Sequence, residues 1–154
     1  MQQQFRDAMA HLAAAVSIVT SKGKAGKIGI TVSSVTSVSD SPATLLFCIN
    51  KNSDLHDLLI ENGEVCINVL AAEQAELAKH FAAMLGSSMA ERFSWDIWKD
   101  DIKLKGAVAN LSGRIVATHS VATHSIFIVE LNDIEVNPKS ALTYFARQFK
   151  WLEI

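Results

Sequence analysis

Hydroxyl-bearing side chains are concentrated in the segment GITVSSVTSVSDSP, residues 29–42, in which seven of the fourteen positions are Ser or Thr. Its apolar residues are spaced two apart as far as Val32 and three apart beyond it. Because side chains alternate every two residues along a strand, this change predicts a kink, a bulge or a strand end at 33–34 and again at 36–37. Backbone N–H groups released there could bind an anion such as a phosphate, and a polar edge strand running into a loop is the alternative. The hydroxyls that could assist belong to Thr31, Ser33, Ser34 and Ser37.

A second candidate for anion binding is CINKNS, residues 48–53, where an apolar run stops at Asn50. Lys51, Asn52 and Ser53 follow, directly before a predicted helix. Helix N-termini attract anions through their free N–H groups and the helix dipole. An ordinary helix N-cap is the alternative interpretation.

The tetrad ATHS occurs twice within ATHSVATHSI, residues 117–126, which places His119 and His124 five positions apart. In a continuous strand this odd spacing puts the two imidazoles on opposite faces, so we do not expect them to share a metal ion. One of them is expected to face a cavity or a turn. A purely structural histidine is the alternative.

The segment LTYFARQFKW, residues 142–151, sets Arg147 among aromatic residues. Read as one strand, it places Arg147 on the same face as Phe145, Phe149 and Trp151. A cation in such surroundings binds a carboxylate, a phosphate or a ring face, and an exposed arginine whose stem covers apolar surface is the alternative.

Several classes of function lack their usual sequence signature. The chain contains neither G-x-G-x-x-G nor a P-loop, no H-E-x-x-H or other metal-ligand spacing, and no G-x-S-x-G. A net charge of −2 without a basic run argues against nucleic acid. No apolar run approaches the roughly 20 residues that span a membrane. Cys48 and Cys66 lie in apolar runs, so we expect both to be buried, free thiols in a reducing compartment. The first residues do not resemble a signal peptide, so we expect a cytoplasmic location.

The surrounding elements predict one domain, residues 1–154, that is mainly β with flanking helices. Because strands follow one another at both ends of the chain, an antiparallel barrel is favoured over a doubly wound sheet. Charged residues make up only 19% of the chain, which favours a homodimer that hides part of the surface. The predicted helices are 5–16, 54–62 and 71–84, the predicted strands are 17–23, 29–35, 44–50, 64–70, 104–115, 125–131 and 142–151, and residues 86–103 are predicted to be irregular.

Taken in order, these segments resemble the short-chain flavin reductases of two-component flavin-dependent monooxygenases. The resemblance extends over nearly the whole chain, from FRDAMAHLAAAVSIVT through GITVSSVTSVSDSP, LLFCINKNS, VCINVL, KHFAAMLGSSMAERFS and ATHSIFIVEL to LTYFARQF. It implies the FMN-binding split barrel, an antiparallel fold, and a homodimer with flavin near the subunit interface.

The same resemblance implies roles for individual residues. Thr31, Val32, Ser33 and Ser34 would line the flavin ring edge and phosphate, with Ser37 continuing that wall. Cys48, Ile49 and Asn50 would lie beside the isoalloxazine and ribityl chain, Asn52 and Ser53 would meet the phosphate, and His80, Phe81 and Ala82 would lie near the cofactor. His124 would be the catalytic residue, set against the nicotinamide, and Tyr144 and Arg147 would help close the nucleotide site. Two departures are that Ala122 stands where the family usually has glycine, and that the stretch between Trp98 and Gly106 is shorter.

The activity implied is that of an NAD(P)H:flavin oxidoreductase, in which NADH, or NADPH, reduces FMN or FAD. Reduced flavin would then leave for a separate, aromatic-hydroxylating oxygenase. The alternatives are a reductase of another pathway on the same fold, a flavin carrier without turnover, and a ligand-free barrel that acts through its dimer surface.

Overall fold

The chain forms two antiparallel sheets with short helices around them, described for all of residues 1–154 in a computed structural model. This confirms the mainly β, antiparallel prediction. A 3-10 turn at Ala72–Gln74 precedes α3. In chain order the elements are α1 (Gln2–Ala10), β1 (Ala14–Ala15), β2 (Ser17–Lys22), β3 (Ile28–Val32), β4 (Thr36–Asp40), β5 (Ala43–Asn50), α2 (His56–Asn62), β6 (Glu64–Val69), α3 (Ala75–Phe81), α4 (Met89–Ser94), β7 (Ala109–Val121), β8 (His124–Val136), β9 (Ala141–Phe145) and β10 (Gln148–Leu152).

The larger sheet has seven strands in the order β3-β2-β6-β7-β8-β5-β4, and the smaller has the order β1-β9-β10. Strands β3 and β4 are consecutive in the chain and yet lie at opposite edges of the larger sheet. Residues 33–35 therefore cross from one edge to the other, which requires the sheet to curl into a barrel. Because β4 pairs only with Ala43–Leu46 of β5, the barrel stays open between β3 and the second half of β5. The predicted strand end is found at Val32, and a bulge between Ser37 and Ser39 is the second irregularity.

The apolar interior consists of two clusters on opposite sides of β2. Val19 belongs to the cluster inside the barrel, where Phe47 and Phe127 stack with centroids 5.2 Å apart. Its neighbour Ile18 belongs to a second cluster, under α3 and β9. Because both faces of β2 are covered, five of its six residues are buried, although only Ile18 and Val19 are apolar. β6 is likewise buried over residues 65–68.

A buried amide network fastens the loop before β7 to the sheet. The side-chain oxygen of Asn68 accepts hydrogen bonds from the Leu104 backbone N–H at 3.0 Å and from Nδ2 of Asn110 at 2.8 Å. Nδ2 of Asn68 donates to the Ile18 carbonyl at 3.0 Å. Because each buried polar group has a partner, the network stabilises one arrangement of this loop.

One helix prediction is wrong in extent, and one helix was not predicted. The helix predicted at 5–16 ends at Ala10, because Ala14–Ala15 pairs with β9 as a strand instead. The segment predicted to be irregular, 86–103, contains α4, whose N-cap Ser88 accepts the Glu91 N–H on its hydroxyl at 3.1 Å.

Two tight turns correct the face assignments made for the histidines and for Arg147. β7 and β8 form a hairpin in which Val121 pairs with His124, so His119 and His124 share one face. The two-residue turn between β9 and β10 has φ of 51° at Ala146 and 61° at Arg147, the pattern of a type I′ turn. Since Tyr144 pairs with Phe149 across that turn, Phe149 and Trp151 lie on the face opposite Phe145. None of the helices is both long enough and apolar enough to cross a bilayer.

Candidate functional site

Three cavities lie side by side around β3, and Thr31 lines all of them. The cleft cavity, about 320 Å³, lies in the opening between β3 and β5 and is lined by Ile30–Ser34, Cys48–Asn50, Ser53 and His124. The helix cavity, about 430 Å³, is lined by Gly29–Thr31, Ser53–Leu55, Phe81–Ala83, Met89 and Arg92. The hairpin cavity, about 530 Å³, is lined by Val16, Thr31–Ser33, Lys79, Ala82, Met84, Tyr144 and Arg147–Phe149.

The crossing segment, residues 33–35, is fixed to β5 by the hydroxyl of Ser34. Oγ of Ser34 accepts the Cys48 backbone N–H at 3.0 Å and donates to the Cys48 carbonyl at 3.4 Å. The neighbouring Ser33 is exposed, and its hydroxyl has no hydrogen-bond partner within the chain. Ser34 therefore shapes the cleft cavity, whereas Ser33 offers a free donor to a ligand.

Other polar groups around the cleft are also partly engaged. Oγ1 of Thr31 donates to the Ala78 carbonyl at 2.6 Å, which holds β3 against α3 and leaves Thr31 only an acceptor. Oγ of Ser53 accepts the Leu55 N–H at 3.2 Å and keeps its own proton for a ligand. Oδ1 of Asn50 accepts the Asn52 N–H at 2.8 Å, so the Asn50 amide nitrogen stays free to donate.

His124 is the first residue of β8 and lies at the rim of the cleft cavity. Nδ1 lies 2.8 Å from Oγ1 of Thr123, which leaves Nε2 available to a ligand. Lys51 stabilises the β7–β8 turn that precedes His124. Its backbone N–H donates to the Thr123 carbonyl at 3.0 Å, and its Nζ donates to the Ala122 carbonyl at 2.8 Å.

Cys48 contributes an unreactive wall to the cleft. Burial raises the pKa of the Cys48 thiol, so the neutral form predominates near pH 7. Both cysteines are unpaired; Cys66 is buried as predicted, whereas Cys48 is only half-buried because it lines the cleft. No three or more His, Cys, Asp or Glu side chains lie together in a way that could hold a metal ion.

The helix cavity depends on a close approach between β3 and α3. A Cβ atom on Gly29 would lie 2.7 Å from Cε1 of Phe81, so only glycine allows the ring to lie on the strand. Arg92, from α4, lies over that ring, with its guanidinium carbon 5.4 Å from the ring centroid. Arg92 was not among the residues singled out by sequence, because nothing in the spacing of its neighbours distinguishes it from an exposed arginine.

The hairpin cavity has two cations in its lining and no carboxylate. Nη2 of Arg147 pairs with Oδ1 of Asp7 at 2.8 Å, and this hydrogen bond lowers the pKa of the Asp7 carboxyl. Lys79 has no ion-pair partner, and its Nζ lies 6.0 Å from the Phe149 ring centroid. Lys79 was also absent from the residues singled out by sequence, whereas Tyr144 and Arg147 were predicted and do line this cavity.

The structure brings thirteen of the sixteen predicted site residues to these cavity walls and leaves three away from them. Ser37 is exposed on the edge strand β4. Asn52 is exposed, with its N–H already bonded to Asn50. His80 points toward the loop before α4, where Nδ1 lies 2.7 Å from Oγ of Ser87 and the ring packs edge-on against Trp95. The thirteen are Thr31, Val32, Ser33, Ser34, Cys48, Ile49, Asn50, Ser53, Phe81, Ala82, His124, Tyr144 and Arg147.

The groove formed by these cavities is suited to a flat, partly apolar ligand that carries negative charge. Its walls are apolar along Val32 and Ile49, and its free donors are hydroxyl and amide groups. Its cations line the hairpin cavity (Lys79 and Arg147) and the helix cavity (Arg92). It contains no pair of carboxylates and no nucleophile beside a base, so the chemistry of a bound cofactor suits it better than acid–base catalysis.

Comparisons with known proteins agree with this description. The flavin reductase like domain family matches residues 9–153. The 4-hydroxyphenylacetate 3-monooxygenase reductase component of Pseudomonas aeruginosa is 46% identical over 157 aligned positions, which cover 99% of this chain and 92% of that protein. The FMN reductase (NADH) RutF of Stutzerimonas stutzeri is 38% identical, with 99% and 89% covered.

A solved structure shows the same fold. BorF, the flavin reductase component of a bacterial two-component tryptophan halogenase, superposes with a TM-score of 0.92 at 27% identity and covers 100% of this chain and 99% of its own. The resemblance inferred from the sequence segments is thereby confirmed. With a match to the family over almost its full length, this chain belongs to the flavin reductase like domain family.

Proposed function

We propose that the chain is an NADH-dependent flavin reductase that uses FMN or FAD and supplies reduced flavin to a separate, aromatic-hydroxylating oxygenase. The observation that carries the proposal is the open cleft between β3 and β5, with free donors beside an apolar wall. The names of the relatives support the same activity, since one is an FMN reductase that uses NADH and another is a monooxygenase reductase component.

The residues present fit a flavin. The hydroxyls of Ser33 and Ser53 and the amide of Asn50 are free to donate to carbonyl or phosphate oxygens. Each hydrogen bond to a charged oxygen contributes about 1.5–3 kcal/mol. Ile49, at the end of β5, offers an apolar surface for a ring.

The chain's own residues bind and orient the reactants, and the hydride chemistry is supplied by the flavin and the nicotinamide when they are bound. Ser34 holds the crossing segment in place, so that Ser33 is presented at a fixed position. His124 limits the open side of the cleft and presents Nε2 there. Lys79, which has no ion-pair partner, gives the hairpin cavity a positive charge that suits the phosphates of NADH, or of NADPH, and Arg147 lies beside it, paired with Asp7.

The active form proposed here is a homodimer in the cytoplasm. Large apolar side chains are exposed at the ends of β8 and β10, where Val136, Trp151 and Leu152 are 65–69% exposed, which favours their burial against a second copy. Two free thiols are consistent with a reducing compartment. The oxygenase would receive reduced flavin by diffusion, because the groove is open on the protein surface.

Anaerobic stopped-flow absorbance tests the activity. Protein and FMN, or FAD, are mixed with NADH, and bleaching of the flavin band reports reduction. Ser33→Ala is expected to weaken flavin binding about 2- to 10-fold, the value of one hydrogen bond, and His124→Ala to slow hydride transfer with little change in flavin affinity. Flavin that binds and is not bleached by NADH would instead indicate a carrier without turnover.

A further inference from the structure

Asp57, His56 and Ser125 form a chain of hydrogen bonds that has no part in the site described above. Nδ1 of His56 lies 2.7 Å from Oδ1 of Asp57, and Nε2 lies 2.8 Å from Oγ of Ser125. His56 and Ser125 are buried, whereas the Asp57 side chain is exposed. The ring of His56 also packs edge-on against Phe127, with centroids 5.3 Å apart. Three contacts therefore hold this imidazole in one position.

The chemistry of the three groups sets the direction of donation. A carboxylate can only accept, so the neutral imidazole of His56 carries its proton on Nδ1 and donates it to Asp57. Nε2 is then an acceptor, and the Ser125 hydroxyl donates to it. Asp57 thus orients His56, and His56 fixes Ser125.

An Asp–His–Ser chain of this kind activates the nucleophile of serine hydrolases, but Ser125 is not placed for that role. Ser125 is 3% exposed and lines none of the three cavities around β3. An acyl group could not reach its oxygen, so the chain of hydrogen bonds acts on the position of strand β8.

Ser125 directly follows His124 in β8. Consecutive side chains of a strand face opposite sides, so Ser125 shares the barrel interior with Phe127 while His124 lies at the cleft cavity. Lys51 holds the same end of the hairpin through the two carbonyls of the turn that precedes His124. Residues 51–57 therefore bind the backbone immediately before His124 and the side chain immediately after it.

We propose that His56 and Ser125 are positioning residues, which fix the imidazole of His124 relative to a nicotinamide bound in the cleft. This inference rests on the proposed function, because it takes His124 as the residue that contacts the nicotinamide. Ser53 belongs to the same segment, 51–57, and offers its hydroxyl to the cleft cavity. One segment thereby aligns a donor to the flavin with the histidine on the opposite rim. Such alignment matters because a misplacement of about 1 Å can slow a reaction by up to about 100-fold.

Two substitutions of His56 separate its two hydrogen bonds. The amide of glutamine reaches as far as Nε2 of histidine, so His56→Gln keeps an acceptor for the Ser125 hydroxyl. The amide of asparagine reaches only as far as Nδ1, so His56→Asn keeps a donor to Asp57 and leaves Ser125 without an acceptor. Ser125→Ala breaks the same hydrogen bond from the other side.

Anaerobic single-turnover stopped flow with FMN and NADH measures the hydride transfer rate. His56→Asn and Ser125→Ala should slow it about 3- to 10-fold, the effect of one hydrogen bond, while His56→Gln should stay within about 2-fold of wild type. The dissociation constant of FMN, from fluorescence titration without NADH, should be unchanged in all three variants. If Ser125→Ala does not fold, the two His56 variants carry the test.

The same changes in a His124→Ala background separate positioning from general stability. If His56 and Ser125 act through His124, they should cause no further slowing there. Slowing of equal size in both backgrounds would overturn the inference. Ser120→Ala is the matched control, because Ser120 pairs with Ser125 across the β7–β8 ladder and is exposed, and it should leave the rate unchanged.

A readout without flavin or NADH keeps this inference distinct from the proposed function. The carbon-bound ring protons of His124 give NMR signals that report the surroundings of its imidazole. These signals should shift in His56→Asn and Ser125→Ala and keep their wild-type positions in His56→Gln and Ser120→Ala. Signals that stay unchanged in all four variants would overturn the inference. Failure of the wild type to bleach flavin, with the expected shifts present, would count against the proposed function alone.

Discussion

Replacing Ala122 by glycine should stabilise the protein. Ala122 is the first central residue of the two-residue turn between β7 and β8, and its φ is 51°. Thr123, the second central residue, has no positive φ, which is the pattern of a type II′ turn, where glycine is preferred. An L-residue in the left-handed region costs about 1–2 kcal/mol.

The expected gain is smaller than this cost. A glycine adds flexibility to the unfolded chain, which offsets about 0.4–1 kcal/mol, so the net stabilisation should be about 0.5–1 kcal/mol. For a chain of this length that corresponds to a rise in Tm of about 1–4 °C. Thermal unfolding of the flavin-free protein, followed by circular dichroism or calorimetry, measures the shift.

The matched control is Ala117→Gly, in β7, where φ is not positive. There the same chemical change brings no relief of strain, and it should destabilise by about 0.5–1 kcal/mol. A fall in Tm for Ala122→Gly as large as that for the control would refute the assignment of strain to this turn.

Three further predictions concern the sheet, the cations and the N-terminal helix. Gly113→Ala should destabilise the protein by about 3 kcal/mol or more, measured by urea unfolding, because the added Cβ would lie 2.1 Å from the Glu130 carbonyl oxygen. Gly86→Ala, where the added Cβ meets open space, should change the free energy of unfolding little. Lys79→Met should raise the KM for NADH about 10-fold and leave flavin affinity unchanged in titrations. Since Arg147 lowers the pKa of Asp7, their pairing should stabilise the contact between α1 and the β9–β10 turn above pH 3.8, and this stabilisation should be lost as the pH falls below that value. Hydrogen exchange of the α1 amides measures this pH dependence, and Asp7→Asn should abolish it.

The parts of the site that could be predicted are those with a local signal. The change of apolar spacing after Val32 predicted the place where the chain leaves one sheet edge. Side chains of a paired strand alternate between the two faces of the sheet, so loss of the two-residue spacing indicates that pairing ends. The apolar runs around Cys48 and Cys66 likewise predicted strands, of which β6 is buried on both faces and β5 is buried at alternate residues.

The parts that could not be predicted depend on turns and charges without a local signal. The β9–β10 turn has Ala146 and Arg147 at positive φ, where Asn-Gly is the usual indication, so the sequence predicts one strand in place of this hairpin. Arg92 looked like any exposed arginine, since its burial comes from packing against Phe81 of a different helix. Neither fact is contained in the spacing of neighbouring residues.

The crossing at 33–35 has a consequence for how the protein acquires its activity. Val32 and Cys48 are 16 residues apart in sequence, yet within the sheet they are separated by four other strands, and the β5–β8 ladder joins residues as distant as Asn50 and His124. Such high contact order slows folding, because long loops must close before the distant pairings form. The cleft can close only after every intervening strand has paired, so recovery of flavin binding during refolding should lag behind the recovery of β structure.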